Sequence, residues 1–178
     1  FQDDLLEPNC ISEMVQLMAS SNHVGMVYAR REIIADFESD WVSEFRSVYN
    51  NLHEGWGDFQ VTSGLLSGKV YLGDREFLNS PKNKIGEPTS VLLKKECFEK
   101  VGYFNETMKQ ALDCEFWYRL MPYYDIGFID KTLSKFRLHD KQASALNKSS
   151  QVDETKLLYH AYYLSLVKYL HPKNKWKL

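Results

Sequence analysis

Two adjacent carboxylates, Asp3 and Asp4, stand between Phe1-Gln2 and Leu5-Leu6-Glu7-Pro8. Neighbouring aspartates repel one another, and chains tolerate them where a divalent cation or a row of N–H donors absorbs the charge. A plainer role is also open, because acids favour helix N-termini and a helix is expected to start near Pro8. Another acid, Asp113, is followed by Phe116, Trp117, Leu120 and Met121 at i+3, i+4, i+7 and i+8. That spacing puts Asp113 at a helix start and on the inward stripe. There it can act as an N-cap or as a general base, since partial desolvation raises a carboxyl pKa and makes the group a better proton acceptor. His139 ends a predicted strand in which Lys135, Arg137 and His139 share one face, with Phe136 and Leu138 on the other. A lone strand histidine is commonly a hydrogen-bonded structural residue. At the end of a strand in an α/β fold, it can instead join two carboxylates around Mn²⁺ or Mg²⁺, with diphosphate oxygens filling the remaining positions. Arg137 can grip phosphate bidentately.

The elements that must position these groups follow from periodicity. Residues 8–21 read as a helix, with Ile11, Met14, Val15 and Met18 at i, i+3, i+4 and i+7 and Pro8 in the first turn. Asn22-His23 is a turn, and the apolar run at 24–29 reads as a strand buried on both faces, completing half of a βαβ unit. Residues 36–58 are mixed. Trp41, Val42, Phe45, Val48, Tyr49 and Leu52 mark an amphipathic helix, either packed on the body or forming an acceptor-facing lid. Residues 62–87, with Gly64, Gly68, Gly73, Pro81 and Gly86, predict a loop-rich, mobile connection. A short strand at 89–93 and a short helix at 95–101 follow, the helix closed by Gly102 as a left-handed cap. After a connector at 103–110 comes the helix at 113–121, whose continuation Pro122 disfavours, and on which Glu115 and Arg119 read as a solvated i,i+4 pair. Strands are predicted at 126–129 and 132–139, then a long helix at 152–170 and a basic tail at 171–178.

Composition restricts the function classes. A chain of 178 residues, 44% hydrophobic and 14% aromatic, suits one globular domain with a real core. A net charge of -2 argues against a nucleic-acid partner. Cys10, Cys97 and Cys114 are odd in number and widely spaced, as expected of reduced thiols in a cytosolic protein, and imply no zinc site. No apolar run approaches the roughly 18 residues of a membrane span, and no signal peptide or repeat is visible. The chain begins on the Asp-Asp motif itself, which leads us to expect further sequence upstream.

Taken together, Gln2-Asp3-Asp4-x-x-x-Pro8, Gly86-Glu87-Pro88-Thr89-Ser90, the run from Phe98 to Glu106, Asp113-Cys114-Glu115-Phe116-Trp117 and Phe136-Arg137-Leu138-His139 resemble glycosyltransferase family two. The order and spacing of these motifs carry the resemblance, over residues 1–144. It implies an α/β GT-A (Rossmann-like) fold, a mixed sheet flanked by helices that lacks the N-terminal nucleotide-binding strands. Residues 1–150 would be the C-terminal half of the catalytic domain, and 151–178 a C-terminal helix and basic tail. By that register Asp3 is the main metal ligand, Asp4 its substrate-binding neighbour, Asp113 the base, and His139 a metal or phosphate contact. Gly86, Glu87, Pro88 and Thr89 would frame donor and acceptor sugars, with Trp117 and Arg137 also on the substrate. The chain departs from the family at Phe1, where the first acid of the metal motif would fall, and at Leu112, where a Glu precedes the base. The implied reaction is inverting transfer from a UDP- or dTDP-linked sugar to a glycan or lipid-linked acceptor, with Mn²⁺ or Mg²⁺ on the leaving diphosphate. Polysaccharide or glycoconjugate biosynthesis in the cytoplasm, at the inner face of the membrane, is the implied setting.

Two rival readings differ in class. One is another metal-dependent phosphoryl enzyme built on Asp3 and Asp4, which would need further acids that the sequence does not offer. The other is a non-catalytic binding domain with a degenerate fold, which Phe1 and Leu112 leave open. Tyr162, Tyr163 and Tyr169, followed by Lys173, Lys175, Trp176 and Lys177, mark either a peripheral membrane contact or a core-packed helix with a solvated tail. A sheet without its first strands would expose an apolar edge, which an upstream half or a second copy in a homodimer would cover.

Overall fold

The computed structural model describes residues 3–139 and 154–178. In chain order these form β1 (Leu5–Leu6), α1 (Cys10–Ala19), β2 (Val24–Ala35), α2 (Asp40–Tyr49), β3 (Gly64–Ser67), α3 (Gly68–Gly73), β4 (Val91–Leu93), α4 (Glu96–Val101), α5 (Leu112–Leu120), β5 (Asp125–Leu138), α6 (Thr155–Leu166) and α7 (Pro172–Lys175). Two long parallel strands, β2 and β5, carry the sheet. On one edge of β5, β3 pairs with its first residues and β1 with Ser134 and Lys135, both antiparallel. On the far side of β2, β4 pairs antiparallel at Met26–Tyr28. The result is a mixed sheet flanked by helices, compatible with a Rossmann-like arrangement.

Alternation along β2 divides the core. Met26 and Tyr28 face a large cluster that holds Tyr71, Phe116, Trp117 and Tyr162, and so the helices α3, α5 and α6. Val24, Val27 and Ala29 face α1 through Cys10, Met14 and Met18. The buried stripe of α1 is thus Cys10-Met14-Met18, not the expected one, and Ile11 and Val15 are about half exposed. At the far end of the strands, Ile33 and Leu138 pack on Val42 of α2, with Trp41, Phe45, Tyr49 and Phe136 around them. The aromatic stripe of α2 is therefore packing, and Phe45 stacks with Phe136 at 6.4 Å.

Several expected boundaries move. β2 continues through Arg30, Arg31 and Glu32, because pairing with β5 supplies the backbone partners that a charged sequence does not advertise. The two strands expected at 126–139 are one, with register shifts opposite Ala29 to Arg31 that take up Asp130, Lys131 and Leu133 as irregularities. The glycine-rich stretch at 62–87, expected to be loop, contains β3 and α3. Gly102 has positive φ (80°), but its ψ of -175° makes it an extended exit rather than a left-handed cap.

The expected helix at 152–170 begins outside the described residues at 152–153, ends at Leu166, and is followed by a separate turn of helix, α7. The tail is not simply solvated. Asn174 is buried and donates to the Asp74 carbonyl (2.8 Å), Lys173 pairs with Glu76, and Lys177 reaches Asn79. Trp176 is exposed and Tyr162 is buried. No described helix is long and apolar enough to cross a membrane.

Candidate functional site

One short loop joins the residues singled out above. Asn83 shapes it: its Oδ1 accepts from the amides of Ile85 and Gly86 (3.0 Å each), and its Nδ2 donates to the Gly86 carbonyl (3.1 Å). Gly86 sits at φ +125°, where a side chain would be strained, and a Cβ there would fall 2.7 Å from Ser90 Oγ. The Gly86 carbonyl also accepts the Trp117 indole N–H (3.0 Å), which ties the loop to α5. Pro88 then starts one turn of 3₁₀ helix (Pro88–Ser90) leading into β4.

At one end of this loop lies Asp113. Its Oδ1 accepts from the Cys114 amide (2.6 Å), and its Oδ2 meets Asn83 Nδ2 at 3.3 Å. Desolvation by burial pushes the Asp113 carboxyl up to about 7, the nearby Glu87 carboxylate adds to the rise, and the amides of Cys114 and Asp113 itself oppose it. Asp113 is not the N-cap. That position is Ala111, which makes no side-chain cap bond. The turn that leads into it is held from elsewhere: Glu154 Oε1 accepts from Lys109 N (2.5 Å), and Oε2 from Gln110 N and Ala111 N (2.9 Å each). Burial alone would raise the Glu154 carboxyl, and those three donors outweigh it and hold it below the usual range.

At the other end lie the paired aspartates. Thr89 Oγ1 donates to Asp4 Oδ2 (2.7 Å), and Asp4 Oδ1 accepts the Arg137 amide (3.0 Å). Arg137 Nε donates to the Asp3 carbonyl (3.2 Å), and its guanidinium pairs with Asp36. His139 Nε2 stands 2.9 Å from Asp3 Oδ2, both side chains being partly exposed. Lys135 reaches Glu7 and Glu32, so Lys135, Arg137 and His139 do share a face while Leu138 is buried behind them. The structure thus gathers Asp3, Asp4, Thr89, Arg137 and His139 into one polar cluster and Gly86, Glu87, Asp113 and Trp117 into another, and residues 86–89 run from one to the other. The family position occupied by Phe1 lies outside the described residues.

A divalent ion fits the first cluster only as a shared site. Among the described residues no group of three or more His, Cys, Asp or Glu side chains could hold a metal. Asp3 and His139, in an ion-pair contact at 2.9 Å, are the two side chains that would share such an ion. Mg²⁺-type ions commonly take one or two protein ligands and complete their shell with phosphate and water.

Some of the supporting residues gave no local signal. Arg31, nearly buried, pairs with Glu87 and donates to the Tyr49 carbonyl (2.7 Å), holding the loop against the sheet. A cavity of about 370 Å³ opens beside it, between Asn50, Asn51 and Thr132. Glu115, expected to be solvated, is buried; its partner Arg119 also donates to the carbonyls of Val101 and Tyr103 and so clamps α4 to α5. Arg31 lies past the apolar run at 24–29 that marks the strand, so nothing local showed that it would be buried against an acid. Glu154 lies too far along the chain for any spacing rule.

No family model matches the chain. It is similar to an uncharacterized protein of Mycobacterium tuberculosis, 27% identical over 132 residues, which is 74% of this chain and 39% of that protein. It is also similar to an uncharacterized glycosyltransferase of Rickettsia typhi, 30% identical over 81 residues, which is 44% of this chain and 24% of that protein. The chain therefore spans well under half the length of either relative. The second likeness hints at glycosyl transfer, at that level of detail and no finer.

Proposed function

We propose that this chain forms the acceptor side and diphosphate side of a GT-A glycosyltransferase site, which moves a sugar from a nucleoside-diphosphate donor to an acceptor hydroxyl with inversion. The observation that carries this reading is the Asp113 carboxyl. It is desolvated to a pKa of about 7 and joined through residues 86–89 to the polar cluster of Asp3, Asp4 and His139. A base poised near neutrality is matched to taking a proton from a sugar hydroxyl as that oxygen becomes nucleophilic.

In this mechanism Asp113 Oδ2 accepts the hydroxyl proton. The acceptor oxygen forms a bond to the anomeric carbon from the face opposite the leaving group, and the bond to the diphosphate breaks. Asp3 and His139 would hold Mn²⁺ or Mg²⁺, whose charge neutralises the departing diphosphate. Trp117 fixes the Gly86 carbonyl and so the backbone that faces the sugars, and Thr89 holds the Asp4 carboxylate in place. UDP- or dTDP-linked donors and a glycan or lipid-linked acceptor are the substrate classes assigned to it.

The test is a panel of UDP- and dTDP-sugars incubated with the protein and Mn²⁺, followed by detection of free nucleoside diphosphate and of glycosylated acceptor. Turnover that disappears in Asp113→Asn, with donor binding retained, is the expected result. Binding of donors without turnover under any acceptor would favour a non-catalytic sugar-nucleotide-binding domain. Phosphoryl release from non-sugar phosphates would point to the phosphoryl-enzyme reading.

A further inference from the structure

We infer that Glu154 is a positioning residue for Asp113: it caps the turn that leads into α5 and so leaves the Asp113 carboxylate free to face the site. The inference rests on the reading of Asp113 as the base. Its geometric part stands on α5 alone.

A helix start leaves its first amides without intrahelical partners, and the nearest suitable carboxylate is drawn to them. At the start of α5 two carboxylates hold backbone amides, one those of the preceding turn and the N-cap, the other that of the first helical turn. Glu154, which stands just ahead of α6 and is nearly buried, takes the amides of Lys109, Gln110 and Ala111. Asp113 takes the Cys114 amide with Oδ1 and also its own amide, while Oδ2 meets Asn83 Nδ2, with the Glu87 carboxylate close enough to act on it. Behind this turn the helix closes normally, with Glu115 N bonded to the Ala111 carbonyl (2.9 Å). The same contact docks α6 on α5, where the Tyr162 hydroxyl also lies 3.4 Å from Cys114 Sγ.

The surroundings of Asp113 give no second explanation for its orientation. The charged or titratable groups that face it are Glu87 from the 86–90 loop and Cys114 and Tyr118 from α5. No lysine or arginine pairs with it among the described residues, and Lys109, the basic group at the Glu154 end, acts on Glu154. If the Glu154 anion is removed, the amides of residues 109–111 lose their acceptor. Asp113, in the first turn of α5, is a carboxylate at the same helix start. Turning outward toward them, it would gain donors that favour its charged form, and it would leave Asn83.

The experiment is a ¹³C carboxyl NMR titration of Asp113, assigned with Asp113→Asn, in the intact protein and in Glu154→Gln and Glu154→Ala. The unsubstituted protein should titrate near 7. Glu154→Ala should lower the Asp113 midpoint by about half a unit to one unit, the scale of a helix-terminus charge effect. Glu154→Gln, which keeps the shape and loses the charge, should move it in the same direction by less. The acidic limb of the pH–rate profile should move with it, an outcome that simple loss of helix stability does not produce. An unmoved Asp113 midpoint in folded Glu154→Gln overturns the inference.

A measurement on the unsubstituted protein guards against variants that fail to fold. The amide shifts of Lys109, Gln110 and Ala111 should titrate together with the Glu154 carboxyl, and independence of the three from Glu154 also overturns it. Should the midpoint move while no sugar is transferred, the capping role stands and the proposed function is what fails.

Discussion

The two ends of the 86–90 loop are built in opposite ways. At the Asp113 end, the carboxyl sits on a nine-residue helix whose Phe116, Trp117 and Leu120 are fully buried in the largest cluster. At the Asp3 end, the acids precede a two-residue strand and are held by single polar contacts from Thr89 and Arg137. The first arrangement strips much of the carboxyl's hydration and so raises its proton affinity. The second leaves side chains partly open, as a site must be if substrate oxygens are to complete the shell of an ion. For the proposed reaction, one shared environment would compromise one role: a buried diphosphate site would lose its access, and an exposed base would return to an ordinary acid.

The largest test of that contrast is on chemistry. Asp113→Asn should slow transfer by about 10²- to 10⁴-fold, with donor affinity nearly unchanged, in steady-state kinetics and donor titration. Loss of donor binding instead would mean the two ends are not separate. Next in size is packing. Trp117→Ala should destabilise the protein by about 3–5 kcal/mol in denaturant unfolding, because it opens the main core and frees the Gly86 carbonyl. Asp3→Ala should leave the unfolding midpoint where it was and weaken Mn²⁺-dependent binding of nucleoside diphosphate by about 100-fold or more, the scale of losses at metal-site residues. Unchanged metal dependence in a calorimetric titration would remove Asp3 from the ligand set.

A smaller effect concerns pH. The Asp113 pKa is raised on folding, from an ordinary carboxyl to about 7. The folded state therefore holds a proton that the unfolded chain has already released. That contribution to stability is complete below about pH 4 and is lost as pH rises through about 7. Asp113→Asn, which cannot ionise, should thus have a higher melting temperature than the unsubstituted protein at pH 8 and no advantage at pH 4. Last comes Thr89→Val, which removes one hydrogen bond to a carboxylate and should cost about 1–2 kcal/mol.

The same contrast explains what could be read from the chain without a structure. Asp113 was legible because its inward position follows from four apolar neighbours on one helix face, a local pattern. The shared face of Lys135, Arg137 and His139 was legible for the same reason, from alternation along one strand. Arg30-Arg31-Glu32 hid the second half of β2, because strand pairing with β5 overrides an unfavourable local composition. Glu115 and Arg119 have the spacing of a surface pair, and only the overlying carbonyls of Val101 and Tyr103 make them interior. Glu154 meets its three amides across 43 to 45 residues, a distance over which no periodicity operates.

The irregularity in β5 acts as a phase setter for the end of the strand that meets Asp3 and Asp4. Ala29 of β2 faces Ile129, yet Arg31, only two residues on, faces Ser134. The surplus on β5 is odd, so it decides which parity of residue points toward the paired aspartates. Removing one residue from this stretch, for instance Asp130, would exchange Arg137 and His139 for Phe136 and Leu138 on that face. Removing two would restore the parity and keep the guanidinium and imidazole beside Asp3. Length changes in this segment should therefore be read in steps of one and two: an otherwise intact sheet would turn Arg137 and His139 away from Asp3 with the first and bring them back with the second.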